Sequence, residues 1–385
     1  MTPGARVAAA IEILNAMADG QPAEQSLTRW GRGNRFAGSK DRAAIRDHVF
    51  SVLRQRRTAA HLGGGETGRA LMIGILRAQG ADTSELFNGA GHAPHPLTDA
   101  EKEPLADADG ATSWNLPDWI IPHFKASLGT RAEAVALALQ SRAPITLRVN
   151  TAKTTPSAAA TALAEQGVQT RPNPLASTAL TVTEGERKIR NSVSYLEGEV
   201  ELQDASSQAI VEAMPKAGRI LDYCAGGGGK SLALAVDPAA QVTAHDIDPR
   251  RMQDLPARAA RAGSTIRQID TDALSDEAPF DVVLCDAPCS GSGAWRRSPE
   301  GKWTLSATRL EELTQIQDSI LDAAIALTAP KGRLVYATCS VLACENEDRI
   351  DAFLKRHSDW SVGFQKRFDA DEDGDGFFTA HLMRD

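Results

Sequence analysis

Three features are missing from the sequence, and each absence excludes a class of protein. No apolar run approaches the roughly 18 residues of a membrane-spanning helix, and the N-terminus lacks the charged-then-apolar layout of a signal peptide. None of the five cysteines belongs to a C-x-x-C pair, and an odd number of cysteines without an export signal argues against a disulfide framework. We therefore expect a cytoplasmic protein without a membrane anchor, whose cysteines serve thiol chemistry or core packing.

An excess of positive charge is also missing, since 42 Lys and Arg stand against 50 Asp and Glu, for a net charge of -8. This balance counts against a nucleic-acid partner, because phosphate binding depends on Lys and Arg. The charge is unevenly distributed, however, and one segment has only Asp41 and Asp47 as acids. Its basic residues are Arg29, Arg32, Arg35, Lys40, Arg42, Arg46, Arg54, Arg56 and Arg57.

The first part of the chain reads as helical. Residues 2–89 contain several helix-like segments, and one places apolar residues at i, i+4, i+7 and i+8, on one face of an amphipathic helix. Those apolar residues are Ile45, Val49, Val52 and Leu53, and the other face carries Arg42, Arg46 and Arg54. The basic face is either an ordinary solvated surface or a surface for RNA phosphates.

At 385 residues the chain is long enough for two or three domains, and 42% hydrophobic with 24% charged residues is typical of globular proteins. We predict a helical domain over 1–95, an exposed linker rich in Ala, Pro and acids over 96–113, and a small α+β domain over 114–200. The middle domain should contain helices at 131–140 and 156–166 and strands at 145–149 and 179–182.

Residues 201–385 form the last predicted domain, in which strands alternate with glycine loops and helices. This rhythm predicts an α/β fold with a doubly wound sheet. The strands are expected at 220–223, 242–245, 266–269, 282–285 and 334–337, and a helix with one apolar face should follow Ser306 and end before Pro330.

Two of these strands end in reactive side chains. Residues 282–285 are short, apolar and β-branched, as in a strand buried on both faces, and they lead into Asp286-Ala-Pro-Cys289-Ser-Gly-Ser-Gly. The strand at 334–337 leads into Thr338-Cys339-Ser340. Polar residues at the carboxyl ends of such strands project into the crevice where open α/β sheets bind ligands. We therefore expect Cys289 and Cys339 at the rim of one crevice.

The glycine-rich loop that runs from Asp222 to Ser231 follows the first strand and opens a helix, where backbone N–H groups can receive a ligand. A P-loop would need Gly where Cys224 stands, and a dinucleotide fingerprint that began at Gly226 would need Gly in place of Ser231. Neither phosphate-binding motif therefore fits.

A ligand with a sugar and no phosphate could still use this loop. Asp246 ends the next strand and could bind ribose hydroxyls, and Asp270 or Asp272 could contact an adenine amino group. Each such acid could also be merely solvated. Acids at four strand ends nevertheless suit the cationic S-adenosylmethionine and would repel the phosphates of NAD or ATP; they are Asp222, Asp246, Asp272 and Asp286.

The two thiols would lie near the methyl group of such a cofactor. A thiolate that adds to C6 of a pyrimidine turns C5 into a carbon nucleophile, and Asp286 could favour cytosine by hydrogen bonds to N3 and the exocyclic amine. The thiol needs a depressed pKa, for which helix N-termini or Lys230 could be the cause. Alternatively both cysteines are inert, or they bind zinc with Cys285 and Cys344, whose C-x3-C and C-x4-C spacings match zinc sites poorly.

At these residues the sequence resembles the NOL/NOP/Sun family of RNA cytosine-5 methyltransferases, most closely its bacterial RsmB-type branch that acts on 16S rRNA. The resemblance covers nearly the whole chain. It implies a Rossmann-like S-adenosylmethionine methyltransferase domain preceded by an all-α NusB-like RNA-binding domain and a small RNA-recognition-like domain. The segments that carry the resemblance are Asp286-Ala-Pro-Cys-Ser-Gly-Ser-Gly, Arg296-Arg-Ser-Pro-Glu-Gly-Lys-Trp303, Ala337-Thr-Cys-Ser-Val-Leu, Glu345-Asn-Glu347 and Asp375-Gly-Phe-Phe-Thr-Ala.

The resemblance also assigns roles. It implies that Cys339 is the nucleophile, that Cys289 assists release of the methylated RNA, and that Asp286 belongs to both the catalytic and the cofactor site. It implies a protein that acts on 16S rRNA, with the basic face between Arg29 and Arg57 on the RNA, and we expect a monomer without metal. The cofactor-binding residues would be Cys224, Ala225, Gly226, Gly227, Gly228, Gly229, Lys230, Asp246, Asp272 and Asp286.

Two other functions stay open. A tRNA cytosine-5 methyltransferase would use the same chemistry, and a non-catalytic RNA-binding ribosome assembly factor could keep the fold, although intact Cys289, Cys339 and Asp286 argue against it. The sequence also departs from the family. The usual Cys-Ala-Ala-Pro-Gly-Gly-Lys loop is Cys224-Ala-Gly-Gly-Gly-Gly-Lys here, so we expect a more mobile loop, and Pro256 should kink the helix after Asp246.

Overall fold

The computed structural model describes residues 1–103, 106 and 110–384, and these residues divide into two compact units. The helical unit comprises Met1–Lys125, Thr130–Arg142 and Trp295–Thr304. The sheet unit comprises Ala126–Gly129, Ala143–Ala294 and Leu305–Asp385. The segment Trp295–Thr304, which follows the Cys289 loop along the chain, therefore belongs to the helical unit.

The described residues form α-helices and strands that alternate after residue 145. The α-helices are α1 (Pro3–Ala18), α2 (Ala23–Gly33), α3 (Ser39–Arg54), α4 (Arg56–Gly63), α5 (Gly68–Ala78), α6 (Thr83–Leu86), α7 (Asp99–Lys102), α8 (Gly110–Ser113), α9 (Ile121–Leu128), α10 (Ala132–Ala138), α11 (Pro156–Glu165), α12 (Val193–Leu196), α13 (Ala205–Ala213), α14 (Gly229–Leu234), α15 (Leu255–Ala262), α16 (Leu274–Glu277), α17 (Gly301–Thr304), α18 (Ala307–Leu327) and α19 (Glu347–Arg356). The strands are β1 (Thr146–Val149), β2 (Gln169–Pro172), β3 (Ala179–Glu184), β4 (Val200–Leu202), β5 (Gly218–Asp222), β6 (Ala240–Ala244), β7 (Ile266–Gln268), β8 (Phe280–Asp286), β9 (Thr328–Thr338), β10 (Trp360–Phe368) and β11 (Phe377–Arg384).

The helical unit packs around one apolar core, as the helical pattern predicts. Helix α1 begins where Thr2 accepts a hydrogen bond from the backbone of Ala5, a side-chain cap of the first turn. Ile45 and Val49 of α3 are buried in the core that α1 and α5 also line. Full burial of an aliphatic side chain of this size contributes roughly 1.5–3 kcal/mol. The core therefore rests on the same face of α3 that the sequence pattern marks as apolar.

A four-stranded antiparallel sheet forms the first part of the sheet unit, in the order β2-β3-β1-β4. The sequence predicts β1, β3 and α11 but not β2 or β4. These two strands are short edge strands, and β2 reads Gln-Thr-Arg-Pro, which has no alternation of apolar and polar residues. Their formation depends on hydrogen bonding to a neighbouring strand, β3 for β2 and β1 for β4.

The seven-stranded sheet has the order β10-β11-β9-β8-β5-β6-β7, and the five strands from β9 to β7 in this order are parallel. The doubly wound α/β fold is therefore confirmed, with all five predicted strands present. The antiparallel strands β10 and β11 at the C-terminal end are additions that the sequence pattern does not predict. The order of the parallel strands reverses between β5 and β8, and open α/β sheets bind ligands at such a reversal.

Pro256 does not kink a helix, so that prediction is wrong. The chain after Asp246 forms a short 3-10 helix at Pro249–Met252, and α15 then begins at Leu255, with Pro256 in its first turn. Proline is tolerated there because the first N–H groups of a helix have no partner within the helix. The predicted helix after Ser306 is confirmed as α18, capped by Ser306 and ending at Leu327.

Within the described residues, no helix is both long and apolar enough to cross a membrane. Residues 104–105 and 107–109 of the predicted linker lie outside the described part of the chain. The division into three domains at the boundaries given above stays a prediction.

Candidate active site

The glycine loop lies between β5 and α14, at the point where the strand order reverses. Gly226 and Gly228 have positive φ angles of 52° and 76°, which side-chain-bearing residues rarely adopt. A Cβ atom on Gly228 would also lie 2.3 Å from Leu255 Cδ1, so this position has no space for a side chain. Gly228 is therefore required both by the turn and by the packing of α15.

Three side chains outside the loop hold its backbone. Asp246 Oδ2 accepts a hydrogen bond of 2.9 Å from the Gly226 N–H. Arg148 Nη1 donates to the Gly229 carbonyl oxygen at 3.0 Å, and Arg258 donates to the Gly227 carbonyl oxygen. The loop lacks the proline usual in the family, but its carbonyl groups are held by two arginines.

A cavity of about 640 Å³ opens beside this loop. One wall consists of Tyr223, Cys224, Asp246 and Ile247, and the other comes from α18 and Pro288. The side chain of Ile247 is 78% exposed, which is unusual for a residue of this size and places a flat apolar surface at the mouth. No sequence motif marks Ile247, and its place directly after the ribose-binding candidate Asp246 is the signal that could have identified it.

The cavity fits a nucleoside without phosphates. Its volume lies in the usual range for small-molecule sites, and most of its lining is apolar. Both of its arginines are already neutralised, Arg251 by Asp246 at 3.0 Å and Arg309 by Glu312 at 2.8 Å. No unpaired cation among its described lining residues is left to bind phosphates, and Asp246 places a carboxylate, itself paired with Arg251, at the lining of the same cavity.

Asp222, at the end of β5, is 1% exposed. Burial raises the pKa of its carboxyl group to about 7, although a hydrogen bond of 2.6 Å from Ser231 Oγ opposes this shift. Its Oδ1 atom is buried and has no hydrogen-bond partner. An unsatisfied carboxylate oxygen next to the glycine loop fits a cationic ligand better than an anionic one.

Of the predicted cofactor-binding residues, Cys224 and Asp246 line the cavity, and Asp272, like the remaining ones, does not. Asp272 sits in a 3-10 helix, Thr271–Ala273, after β7, and is exposed. Its predicted contact with an adenine amino group stays a prediction.

The two thiols meet at the ends of β8 and β9. The strands are parallel neighbours, with Asp286 opposite Ala337, and the Ala287 N–H donates to the Ala337 carbonyl oxygen at 2.9 Å. This register brings Cys289 Sγ to 3.4 Å from Cys339 Sγ. The hydrogen bond with Cys339 and burial raise the pKa of the Cys289 thiol well above its ordinary value. Cys289 therefore keeps its proton at neutral pH and can donate it to the sulfur of Cys339.

A partly buried ion pair lies at the same strand ends. Lys230 Nζ of α14 donates to Asp286 Oδ2 at 2.6 Å, and the ammonium group lies 5.5 Å from the ring centre of Phe377. Burial would lower the pKa of Lys230, but the charge of Asp286 and the hydrogen bond to it more than offset this effect, and the pKa is raised. Lys230 is therefore a permanent cation that fixes the orientation of the Asp286 carboxylate.

Glu345 connects the two cysteine loops, and no sequence motif assigns it a role of this kind. Its carboxylate is fully buried and accepts hydrogen bonds from the Ser290 N–H at 2.7 Å and from Ser340 Oγ at 2.5 Å. Ser290 follows Cys289 and Ser340 follows Cys339. Gln317 of α18 donates to the same carboxylate at 3.2 Å. One buried carboxylate thus fixes the residues next to both thiols.

The other cysteines do not join this pair. Cys285 is fully buried inside β8, and burial raises the pKa of Cys344 to about 11. Cys224 lines the cavity, and burial raises the pKa of its thiol. In the part of the chain that the structure describes, no cluster of three or more His, Cys, Asp or Glu side chains is arranged to hold a metal ion.

Known proteins match this sequence over most of its length. The family model for 16S rRNA methyltransferase RsmB/F matches residues 209–383, and the model for the RsmF/B-like ferredoxin-like domain matches residues 116–187. Ribosomal RNA small subunit methyltransferase B of Xanthomonas campestris pv. campestris is 33% identical over 317 residues, which cover 77% of this chain and 72% of that protein. The protein of the same name from Salmonella newport is 36% identical over 284 residues, 70% of this chain and 66% of the Salmonella protein.

Solved structures show the same fold. The crystal structure of PH0851 superposes with a TM-score of 0.78 at 23% identity and covers 100% of this chain and 99% of its own. NSun6 from Pyrococcus horikoshii, solved with SFG, has a TM-score of 0.61 at 17% identity and covers 70% of this chain and 98% of its own. The predicted resemblance is thus confirmed: the chain belongs to the RsmB/F family of RNA methyltransferases in the Sun group, and its cofactor is S-adenosylmethionine.

Proposed function

We propose that the protein transfers a methyl group to C5 of a cytosine in 16S rRNA through a covalent adduct with Cys339. The observation that carries this proposal is the pair of thiols, 3.4 Å apart, beside an oriented carboxylate at the end of β8. An N- or O-methyltransferase needs no thiol. The substrate class is supported by the names of the Xanthomonas and Salmonella relatives, which are methyltransferases of small-subunit ribosomal RNA.

The chemistry begins at Cys339. Its sulfur adds to C6 of the cytosine, and the thiol proton ends on N3, so that C5 gains the electron density of an enamine. S-adenosylmethionine, when bound, supplies an electrophilic methyl group on a sulfonium sulfur. After C5 has taken that group, its hydrogen leaves as a proton, and the C6–S bond breaks with its electron pair on the Cys339 sulfur. That sulfur takes up one proton and becomes a thiol again, while the N3 proton is lost. One proton is released in total, which balances the sulfonium charge that the reaction consumes.

Cys289 is the nearest group for the final steps. Its thiol is protonated at neutral pH and lies within hydrogen-bonding distance of Cys339, so it can return a proton to that sulfur as the C6–S bond breaks. The carboxylate of Asp286 can accept hydrogen bonds from N3–H and from the exocyclic amine of the adduct. Uracil has a carbonyl oxygen in place of that amine, and a carboxylate would repel it. This arrangement favours cytosine.

The target cytosine must be unpaired or flipped out, because C5 and C6 are not reachable in a stacked helix. A tRNA substrate would require the same chemistry, and the non-catalytic alternative would require none. A tRNA methyltransferase is distinguished from the proposal by the RNA that it methylates, and a non-catalytic factor by the absence of methylation.

The test uses purified full-length protein, S-adenosylmethionine with a labelled methyl group, and 16S rRNA or total tRNA from cells that lack the gene. We expect labelled 5-methylcytidine in 16S rRNA after digestion to nucleosides. Cys339→Ala should abolish labelling with unchanged cofactor binding, and Cys289→Ala should accumulate a protein–RNA adduct that survives a denaturing gel. Cys344→Ala, which removes a thiol outside the pair, is the matched control.

Several results would overturn the proposal. An adduct with Cys339→Ala would exchange the roles of the two thiols. Labelled tRNA in place of 16S rRNA would keep the reaction and change the substrate, and no labelling of any RNA by the wild-type protein would favour a binding factor. Bisulfite sequencing of RNA from cells with and without the gene identifies the modified cytosine.

A further inference from the structure

Most of the basic residues between Arg29 and Arg57 are bound within the helical unit. Two form exposed ion pairs with acids, Arg46 with Glu24 and Arg56 with Glu66. Four more donate to amide or carbonyl oxygens or to a further acid: Arg29 to Gln21, Arg42 to Ala37, Arg54 to Arg296, and Arg57 to Leu116 and Asp118. Six of the nine basic residues expected on this face therefore have partners within the helical unit, and for three of the six the partner is an acid.

Three cations are left, and they lie together at the turn between α2 and α3. Arg32 is in the last turn of α2, Arg35 is in the connection, and Lys40 is in the first turn of α3. All three are exposed, and none forms a hydrogen bond or an ion pair with another residue that the structure describes. Charges without an internal partner are those available to an external anion.

The same turn exposes an aromatic ring. Phe36 is 73% exposed and is the only aromatic side chain among the large apolar residues that the described surface leaves exposed. The turn is well defined: Asn34 Nδ2 donates to the Trp30 carbonyl oxygen at 2.9 Å, the Ala37 N–H donates to that of Asn34 at 3.1 Å, and Arg42 Nε donates to that of Ala37 at 2.9 Å. Phe36 is thus held out by a turn whose backbone is hydrogen-bonded on both sides.

A groove of about 420 Å³ continues from this turn between α2 and α3. Arg32, Arg42 and Arg46 line it together with the apolar surfaces of Leu27 and Trp30. Glu24, the partner of Arg46, also lines the groove, so Arg32 is the groove cation without an internal partner. An exposed ring and three free cations beside such a groove are the parts of a site that stacks one base and holds the adjoining phosphates.

We propose that the α2–α3 turn binds a single-stranded stretch of RNA, with a base stacked on Phe36 and backbone phosphates bound by Arg32, Arg35 and Lys40. The inference rests on the proposed function, for which it names a second contact of the substrate. A duplex does not offer a free base face to a protruding ring, so single-stranded RNA fits better than double-stranded RNA. An apolar protein partner would need more than one exposed apolar side chain at this turn.

The test measures binding of the full-length protein to a fluorescent 12-nucleotide RNA and to the same RNA annealed to its complement, over a range of salt concentrations. Phe36→Ala should weaken binding of the single strand roughly 5- to 150-fold without changing the salt dependence. The triple variant R32Q/R35Q/K40Q should reduce the slope of log affinity against log salt by about 2. Controls are Arg56→Gln, which removes a paired cation, and Leu196→Ala, which removes another exposed apolar side chain.

Affinity within twofold of wild type for Phe36→Ala, or equal losses for the single strand and the duplex, would overturn the proposal. If Phe36→Ala or the triple variant lost binding to phosphatidylserine vesicles but bound RNA as wild type does, the turn would be assigned to an anionic lipid surface. Failure of the proposed function gives a different result, because in that case the wild-type protein methylates no RNA. If wild type methylates 16S rRNA and Phe36→Ala has the same KM for it, only the inference about the turn fails.

Discussion

The guanidinium of Arg258 donates a hydrogen bond to the carbonyl oxygen of Gly227, at the position where the family loop usually carries proline. Proline would restrict the loop covalently, whereas here a side chain from α15 restricts it. Removing Arg258 should therefore cost cofactor affinity. We expect Arg258→Met to weaken S-adenosylmethionine binding about 5- to 30-fold, which corresponds to about 1–2 kcal/mol, on the order of one hydrogen bond to a charged group. Isothermal titration calorimetry measures this.

Gly227→Pro provides the rescue. The φ angle of Gly227 is not in the left-handed region, and its N–H donates no backbone hydrogen bond in the described loop, so proline there removes no such bond. A compatible proline stabilises by about 0.4–1 kcal/mol by restricting the free chain, and the double variant should regain part of the affinity. The matched control is Arg261→Met, because Arg261 shares the partner Glu201 but does not contact the loop. Equal losses in both single variants would contradict the assigned role.

Glu345 should control the geometry of both thiols. Glu345→Gln keeps the shape but turns one acceptor oxygen into a donor that faces the Ser290 N–H or Ser340 Oγ. We expect a large loss of kcat, at least tenfold, with S-adenosylmethionine affinity unchanged, and a loss of about 1–3 kcal/mol in the free energy of unfolding. Single-turnover methylation and urea denaturation measure the two effects.

The control for this prediction is Glu347→Gln. Glu347 pairs with Arg367 at 3.1 Å and does not bind either cysteine loop. It should reduce stability slightly and leave kcat near that of wild type. If Glu345→Gln lowers cofactor affinity as much as kcat, its role is general to the fold and not specific to the thiols.

The comparison of Cys339 with Glu345 shows what the sequence can predict. Both thiols follow apolar strands, so the local pattern is enough to place them at the ends of two parallel strands. The role of Glu345 depends on Ser290, 55 residues away, and on Gln317, 28 residues away. Such contacts form only when the sheet and α18 pack, and no local pattern predicts them.

The strands show the same division. The central parallel strands β5, β8 and β9 contain buried apolar runs, which is why the pattern predicts them, whereas the edge strand β7 is mostly exposed. Strand β10 alternates irregularly, and β2 is polar, so both depend on pairing with β11 and β3. The kink predicted at Pro256 is wrong because the pattern does not locate the start of α15 at Leu255. The fold class follows from buried strands, and the edge strands follow from tertiary pairing.

The buried carboxyl group of Asp222 should make stability depend on pH. Its pKa is about 7 in the folded protein, against an ordinary value of 3.8, so the carboxyl group ionises first in the unfolded chain. The contribution of the Asp222 carboxyl group to the free energy of unfolding is fully present below about pH 4 and is lost as pH rises to about 7. The change is on the order of 1–4 kcal/mol. Asp222→Asn cannot ionise and should escape this loss. Urea denaturation from pH 4 to pH 8 should show that the free energy of unfolding of Asp222→Asn increases relative to that of wild type as pH rises.

Other carboxyl groups have lowered pKa values and favour the opposite trend, among them Glu101 at about 2 beside Arg69. The informative quantity is therefore the difference between Asp222→Asn and wild type at each pH. A difference that stays constant from pH 4 to pH 8 would mean that Asp222 is ionised in the folded protein at all of these values.

Lys302 should give the opposite pH dependence in the helical unit. It is 1% exposed and donates to the Arg54 carbonyl oxygen at 2.7 Å, near the C-terminal end of α3. Burial, together with the charge of Arg54, lowers the pKa of Lys302 from 10.5 to about 7. The unfolded chain thus keeps a proton that the folded chain has released, so the contribution to stability is present above about pH 10.5 and is lost as pH falls to about 7.

Lys302→Met removes both the titrating group and its hydrogen bond. We expect the variant to be less stable than wild type at pH 9.5, because the Arg54 carbonyl oxygen loses a donor, and to approach or exceed wild type at pH 6, because the buried charge is gone. Trp303, which donates to the Leu53 carbonyl oxygen at 2.7 Å, keeps the segment anchored in both proteins. Unfolding of the full chain, followed by tryptophan fluorescence, measures the two stabilities. A variant destabilised equally at both pH values would show that Lys302 stays charged in the folded protein.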